Sequence, residues 1–144
     1  MEAEMNIEYR ENTLTAEQYL TMEQQMGEPL TTKEQAERSI SHQLYSITAL
    51  KDGQIVGIAR LLGDAAIYWY INDVWVLPEY QGKGIGSYMV KKLIQYVTKA
   101  STSGTSVSLC LMSAKNKEGF YEKLGFFKRP CEWEGAGMEM EIDT

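Results

Sequence analysis

The chain has 144 residues, 44% hydrophobic and 24% charged, enough apolar material for a single packed domain over 1–144 without disulfide staples. Its 14 basic and 20 acidic side chains give a formal net charge of −6, which argues against nonspecific nucleic-acid binding and suits a cationic partner. Two cysteines outside any CxxC pair, an acidic start with no apolar stretch from Met1 to Arg10, and apolar runs too short for a bilayer predict a cytoplasmic protein without membrane association.

Ile7 to Arg10 reads as a short first strand. Thr15-Ala-Glu-Gln18 is a capping box, in which hydroxyl and amide satisfy free N–H groups at a helix start. Leu20, Met22 and Met26 give that helix an apolar face, and Gly27 with Pro29 ends it. Thr31-Thr-Lys-Glu34 reads as a second box, opening a helix to about Gln43. Tyr45 to Leu50 and Gln54 to Leu62 flank Lys51-Asp52-Gly53, a hairpin signal. Gly57 inside the second of these strands marks a bulge or a tight packing spot. Gly63-Asp64 turns the chain into a strand from Ile67 to Val76.

Beyond Pro78, the spacing of Ile85, Met89, Val90, Leu93, Ile94 and Val97 predicts an amphipathic helix from Ile85 to Lys99. Val107 to Met112 reads as a buried strand, and Asn116 to Leu124 as a helix closed by Gly125. Two short strands are expected near Phe126 to Lys128 and Met138 to Ile142.

The loop Pro78-Glu-Tyr-Gln-Gly-Lys-Gly-Ile-Gly-Ser87 lies between a strand and the longest helix. The missing side chains of Gly82, Gly84 and Gly86 let backbone N–H groups approach an anion, and the helix start adds the positive end of its dipole. Such a seat suits a pyrophosphate, with Lys83 and the Ser87 hydroxyl as further contacts. No Lys-Ser/Thr pair follows the glycines, as a Walker loop needs. A GxGxxG dinucleotide fingerprint begun at Gly82 or Gly84 would end on Ser87 or Met89. A nucleotide phosphate-binding domain is therefore disfavoured.

Asp73-Val-Trp-Val-Leu-Pro-Glu-Tyr-Gln-Gly-Lys-Gly-Ile-Gly86 closely resembles the cofactor motif of the GNAT superfamily of N-acetyltransferases. Gln81, Gly84 and Gly86 match its Arg/Gln-x-x-Gly-x-Gly/Ala loop. Downstream, Gly119-Phe-Tyr-Glu-Lys-Leu-Gly-Phe126 resembles the same superfamily's second motif. The resemblance implies an α/β fold: a mixed, mostly antiparallel sheet of six to seven strands, helices on both faces and a splayed parallel strand pair. It implies acetyl-CoA as cosubstrate. The pyrophosphate would lie on Gln81, Gly82, Lys83, Gly84, Ile85, Gly86 and Ser87, and the pantetheine on backbone groups of Val74, Trp75 and Val76. Tyr121 matches a tyrosine that donates to the departing thiolate. Many members carry an asparagine seven residues before it; Ala114 stands there, and Asn116 lies close by. Dimerisation is common among proteins that this chain resembles, so a homodimer is expected from the resemblance alone.

The acceptor implied is a primary amine of a small molecule, of aralkylamine or polyamine type. A peptide N-terminus, or a non-catalytic acyl-CoA-binding role, is the competing reading. An alkylamine with a pKa near 10 is about one part in a thousand neutral at pH 7, so a proton must be removed. Asp73, beside the cofactor strand's central valine, is the candidate base, ahead of the single histidine, His42, and of Glu79. Cys110, in a strand read as buried, is a poor nucleophile. Tyr68, Tyr70 and Trp133, the last set between Glu132 and Glu134, are candidate walls for the amine, since aromatic faces and carboxylates suit a cation. No metal ligand set is present.

Overall fold

A computed structural model describes residues 6–27 and 30–144. In chain order the elements are β1 (Glu8–Glu11), α1 (Ala16–Met26), α2 (Lys33–His42), β2 (Tyr45–Lys51) and β3 (Gln54–Gly63). After these come β4 (Tyr68–Val76), α3 (Ile85–Ala100), β5 (Ser108–Leu111) and α4 (Glu118–Lys123). They fall into two compact units, one ending at Leu111 and the other beginning at Met112.

The first unit is built on a sheet in the order β1-β2-β3-β4-β5, antiparallel except for the parallel pair β4–β5. Two-residue turn chemistry sets the β2–β3 hairpin: Asp52 and Gly53 both take positive φ, 51° and 77°, the geometry that matches strand twist. Neighbouring residues of β3 face opposite sides. Ile58 packs with Leu14, Tyr19, Met22 and Ala36 beneath α1 and α2. A Cβ on Gly57 would meet Met89 Cε of α3 at 3.2 Å and the Trp75 carbonyl at 3.3 Å, so the glycine lets α3 lie close on the other face. A register shift between Ala49 and Leu50 falls beside it. α3 buries Ile85, Met89, Val90, Leu93 and Val97, at roughly 1.5–3 kcal/mol for each fully buried side chain.

Both helix-start signals yield capping boxes, with one displacement. Thr15 and Gln18 form the first as expected. The second uses Thr32 and Gln35, one residue beyond the expected pair. Thr31 instead gives its N–H and hydroxyl to the Glu23 carboxylate of α1. A tertiary acceptor thus decides between two adjacent threonines that are equivalent in local sequence. Gly27 closes α1 through its N–H to the Glu23 carbonyl; Pro29 and Met1 to Met5 lie outside the described residues.

Five strands are present among the described residues, rather than six or seven. Phe126 to Lys128 and Met138 to Ile142 join no sheet. Met138, Met140 and Ile142 alternate with Glu139 and Glu141, yet are 89%, 82% and 76% exposed. Alternation makes a segment able to be a strand, but only a neighbour's backbone groups make it one. β5 is also shorter than expected and half exposed, Cys110 included, because it ends the sheet.

In the second unit, Asn116 takes φ +71° and delays α4 to Glu118, while Gly125 takes φ +106° just past its end. The Tyr121 ring meets Phe120 and Phe126 edge-on, with centroids 4.9 and 5.9 Å away.

Candidate active site

Two features of β4 set the geometry of the first unit's site. Its ladder with β5 runs only from Tyr68–Ser108 to Ile71–Leu111, so from Asn72 to Val76 the outer edge has no ladder partner among the described residues. Between Asn72 and Trp75 the register with β3 shifts, and Asp73 takes φ +50°. This bulge bends the strand where the edge opens.

Hydrogen bonding gives the direction of the open edge. The Leu77 N–H donates to the Val56 carbonyl on the β3 side. Strand alternation therefore turns the Val76 N–H and carbonyl to the outer edge. The Gln81 side-chain amide donates to that Val76 carbonyl at 2.9 Å, tying the loop to the end of the open strand.

A single turn of 3₁₀ helix, Pro78–Tyr80, then leads into the glycine loop. Gly82 and Gly84 take φ +74° and +86°, which an L side chain rarely adopts. Gly84 is the N-cap of α3, and no side chain caps the helix there among the described residues. The first intrahelical bond is from the Tyr88 N–H to the Gly84 carbonyl, so the N–H groups of Ile85, Gly86 and Ser87 have no intrahelical acceptor. α1 and α2 have Thr caps and acids in the first turn, Glu17 and Glu34; α3 has neither. A helix start stripped of every internal substitute for an anion fits an external one. The Ile85 side chain points into the core at 2% exposure, which leaves its N–H for the loop.

Beneath the bulge lies a buried polar cluster that sequence reasoning missed. Arg60 of β3, 3% exposed, donates from Nη1 to Asp73 Oδ2 at 2.9 Å, from Nε to Gln43 Oε1 at 2.9 Å and from Nη2 to Ser39 Oγ at 2.6 Å. Its guanidinium lies 5.2 Å from the centre of the Tyr19 ring. Burial first, then the Asp73 charge, pushes the Tyr19 phenol up to about 12. One side chain thus joins α1, α2, β3 and the β4 bulge. The signal was available: a single arginine inside the apolar run Ile55 to Leu62 has to be buried and paired.

Tyr68 and Tyr70 share the Arg60 face of β4, Tyr68 exposed and Tyr70 half-buried, whereas Trp69 between them is core at 2% exposure. In the second unit, burial raises the Tyr121 phenol above its ordinary value near 10. Asn116 is exposed there, and Trp133 is 69% exposed beside Phe127. The first unit brings together Asp73, Val74, Trp75, Val76 and the loop from Gln81 to Ser87; Asn116, Tyr121 and Trp133 belong to the second.

A family model for GNAT acetyltransferases matches residues 8–126, across both units. The chain belongs to the GNAT acetyltransferase family. Among GNAT relatives, it is 34% identical over 89 residues to the uncharacterized N-acetyltransferase ycf52 of Pyropia yezoensis, covering 60% of this chain and 49% of that protein. It therefore spans about half the length of that relative. It is 32% identical over 109 residues to the glucosamine 6-phosphate N-acetyltransferase of Schizosaccharomyces pombe, covering 69% of this chain and 88% of the other. A solved GNAT family acetyltransferase of Streptococcus pneumoniae superposes with a TM-score of 0.77 at 27% identity, covering 96% of this chain and all of that one. The α/β architecture with its parallel β4–β5 pair is thus the GNAT fold.

Proposed function

We propose that this chain transfers the acetyl group of acetyl-CoA to a primary amine of a small molecule, by direct attack in a ternary complex. The uncapped, acid-free start of α3, set beside the open edge of β4, carries the reading. Acetyl-CoA supplies an acetyl thioester. The Gln81–Ser87 amides hold the pyrophosphate, helped by Lys83. Val74, Trp75 and Val76 lend backbone groups to the pantetheine, and the Val76 N–H, turned to the open edge, polarises the thioester carbonyl. Asn116 is the candidate for the contact that Ala114 cannot make.

The amine nitrogen attacks the carbonyl carbon, an amide bond forms and the C–S bond breaks. Tyr121, whose raised pKa keeps the phenol protonated at neutral pH, gives its proton to the leaving sulfur. On the acceptor side Asp73 orients the ammonium, and the proton leaves through its carboxylate or through water. Tyr68, Tyr70 and Trp133 are proposed to wall the acceptor. The Schizosaccharomyces pombe relative, by its name, acetylates glucosamine 6-phosphate, which supports a small-molecule acceptor. Free thiols at Cys110 and Cys131 fit a cytoplasmic setting.

Calorimetric titration with acetyl-CoA, ATP and NAD, followed by a thiol-release assay over amines, amino acids and peptides, tests the reading. Selective acetyl-CoA binding with amine-dependent thiol release is expected. Binding with no release for any acceptor would leave a non-catalytic acyl-CoA-binding domain.

A further inference from the structure

We propose that a groove between α1, the start of β3 and the 3₁₀ turn Pro78–Tyr80 binds a small organic ammonium. Asp73 does not line it, so the site is distinct from the one proposed for the acceptor and does not rest on the acetyl-transfer reading. Its volume of about 280 Å³ lies just below the roughly 300–1,000 Å³ of pockets for drug-sized ligands, which suits a smaller occupant.

The floor is apolar. Met22 and Val56 are 0% and 2% exposed, and Ile55 and Leu77 pack at the margin of the core beneath α1. Such a floor favours a short alkyl chain or a single ring over a fully polar ligand.

The rim supplies acceptors. Glu79 is the one charged side chain on the lining, and it has no ion-pair partner among the described residues. Gln25 and Gln54 lie on the same rim, and neither amide is engaged in a hydrogen bond among the described residues. An ammonium has three N–H donors and no acceptor, so a carboxylate and two amide oxygens match what it needs. Tyr80 adds an aromatic ring, which attracts a cation. α1, which walls the groove, carries Glu17 and Glu23 and no basic residue, so the surrounding charge has the same sign.

Other ligand classes fit less well. An anion would meet a carboxylate and no base on the lining. A hard metal ion takes about six oxygen ligands, and no group of three His, Cys, Asp or Glu side chains placed to hold one occurs among the described residues.

Amide-resolved NMR titration of the cofactor-free chain with n-butylammonium, n-butanol and butyrate tests the site. n-Butylammonium should shift the amide signals of Ile55, Val56, Glu79 and Tyr80 saturably, with an affinity about tenfold above that of n-butanol. Butyrate should leave them unmoved. Glu79→Gln should reduce the affinity for the ammonium to that for the alcohol. Glu79 is exposed and makes no side-chain bond among the described residues, so the variant should fold, which its own spectrum reports. Equal affinity for ammonium and alcohol, shifts confined to Asp73–Val76, no saturable shift at the groove, or a preference that survives Glu79→Gln would each overturn the assignment. Thiol release with amine acceptors is measured without reference to Glu79, so its failure would overturn the acetyl-transfer reading and leave the groove standing.

Discussion

At the scale of single residues, Gly84 and Arg60 make opposite demands. Gly84 is needed for what it lacks: at φ +86° as the N-cap of α3, it leaves the following amides open. In Gly84→Asp a carboxylate would cap those amides and repel a diphosphate. Acetyl-CoA affinity should fall at least about tenfold by calorimetry, while fold stability changes by about 1 kcal/mol, since N-capping offsets the left-handed strain. Unaltered affinity would remove the loop from the cofactor site. Arg60 is needed for what it carries. Arg60→Met would leave the half-buried Asp73 carboxylate without its cation, at a cost of about 3–5 kcal/mol in urea unfolding. Arg60→Met combined with Asp73→Leu should recover part of that loss. If the double variant is no more stable than the single, the pair is not coupled as its 2.9 Å contact implies.

Residues of these two kinds differ in how far they were legible beforehand. The glycine loop is a local pattern: its chemistry lies in missing side chains and in the helix that follows, both adjacent in sequence. Arg60 stood out as a charge in an apolar strand, but its partners Ser39, Gln43 and Asp73 come from two other elements, and no spacing rule joins them. Tyr19 was hidden in the same way, as an aromatic on an ordinary helix face.

At the scale of elements, the same division between local and distant causes decides each outcome. The β2–β3 hairpin, the first capping box and α3 follow from neighbours within a few residues, and each forms close to where expected. The start of α2 shifts by one residue because Glu23, eight residues before Thr31, takes that threonine's N–H and hydroxyl. The two threonines therefore have separable roles. Thr32→Ala removes a helix cap and should cost about 1 kcal/mol, with lower helicity at α2. Thr31→Val keeps the cap and should loosen α1 against α2 without lowering intrinsic helicity. Amide exchange resolved by residue distinguishes them: equal loss of protection along Lys33–His42 in both variants would mean that the cap is shared. The segment Met138 to Ile142 shows the limit of reading strands from alternation. Its period was correct for a strand, and no neighbour is paired with it.

At the scale of the whole molecule, the buried phenols link folding to alkaline pH. Tyr19 is pushed up to about 12 by burial and then by the Asp73 charge. Tyr45 is pushed higher still, by burial first and then by its bond to Glu11. A folded-state pKa raised above the unfolded value near 10 means that the native chain holds its proton longer. The stability so contributed is fully present below pH 10 and is lost as pH rises through the folded pKa. Between pH 10 and 12 each such phenol should lower the unfolding free energy by about 1.4 kcal/mol per pH unit, so Tyr19 accounts for roughly 2–3 kcal/mol across the window. Urea unfolding of the native chain at half-unit steps from pH 9 to 11.5 should give a slope to which these two phenols contribute about 2.3 kcal/mol per pH unit near pH 11, with smaller additions from Tyr9 and Tyr121, whose phenols burial also raises. Tyr19→Phe should lower that slope by about 1.1 kcal/mol per pH unit near pH 11, whatever the variant's stability at pH 7. The slope is the decisive quantity, because lost packing shifts the whole curve and leaves its steepness alone. An undiminished slope in Tyr19→Phe would show that this phenol ionises as freely in the folded chain as in the unfolded one, and that water reaches the cluster around Arg60.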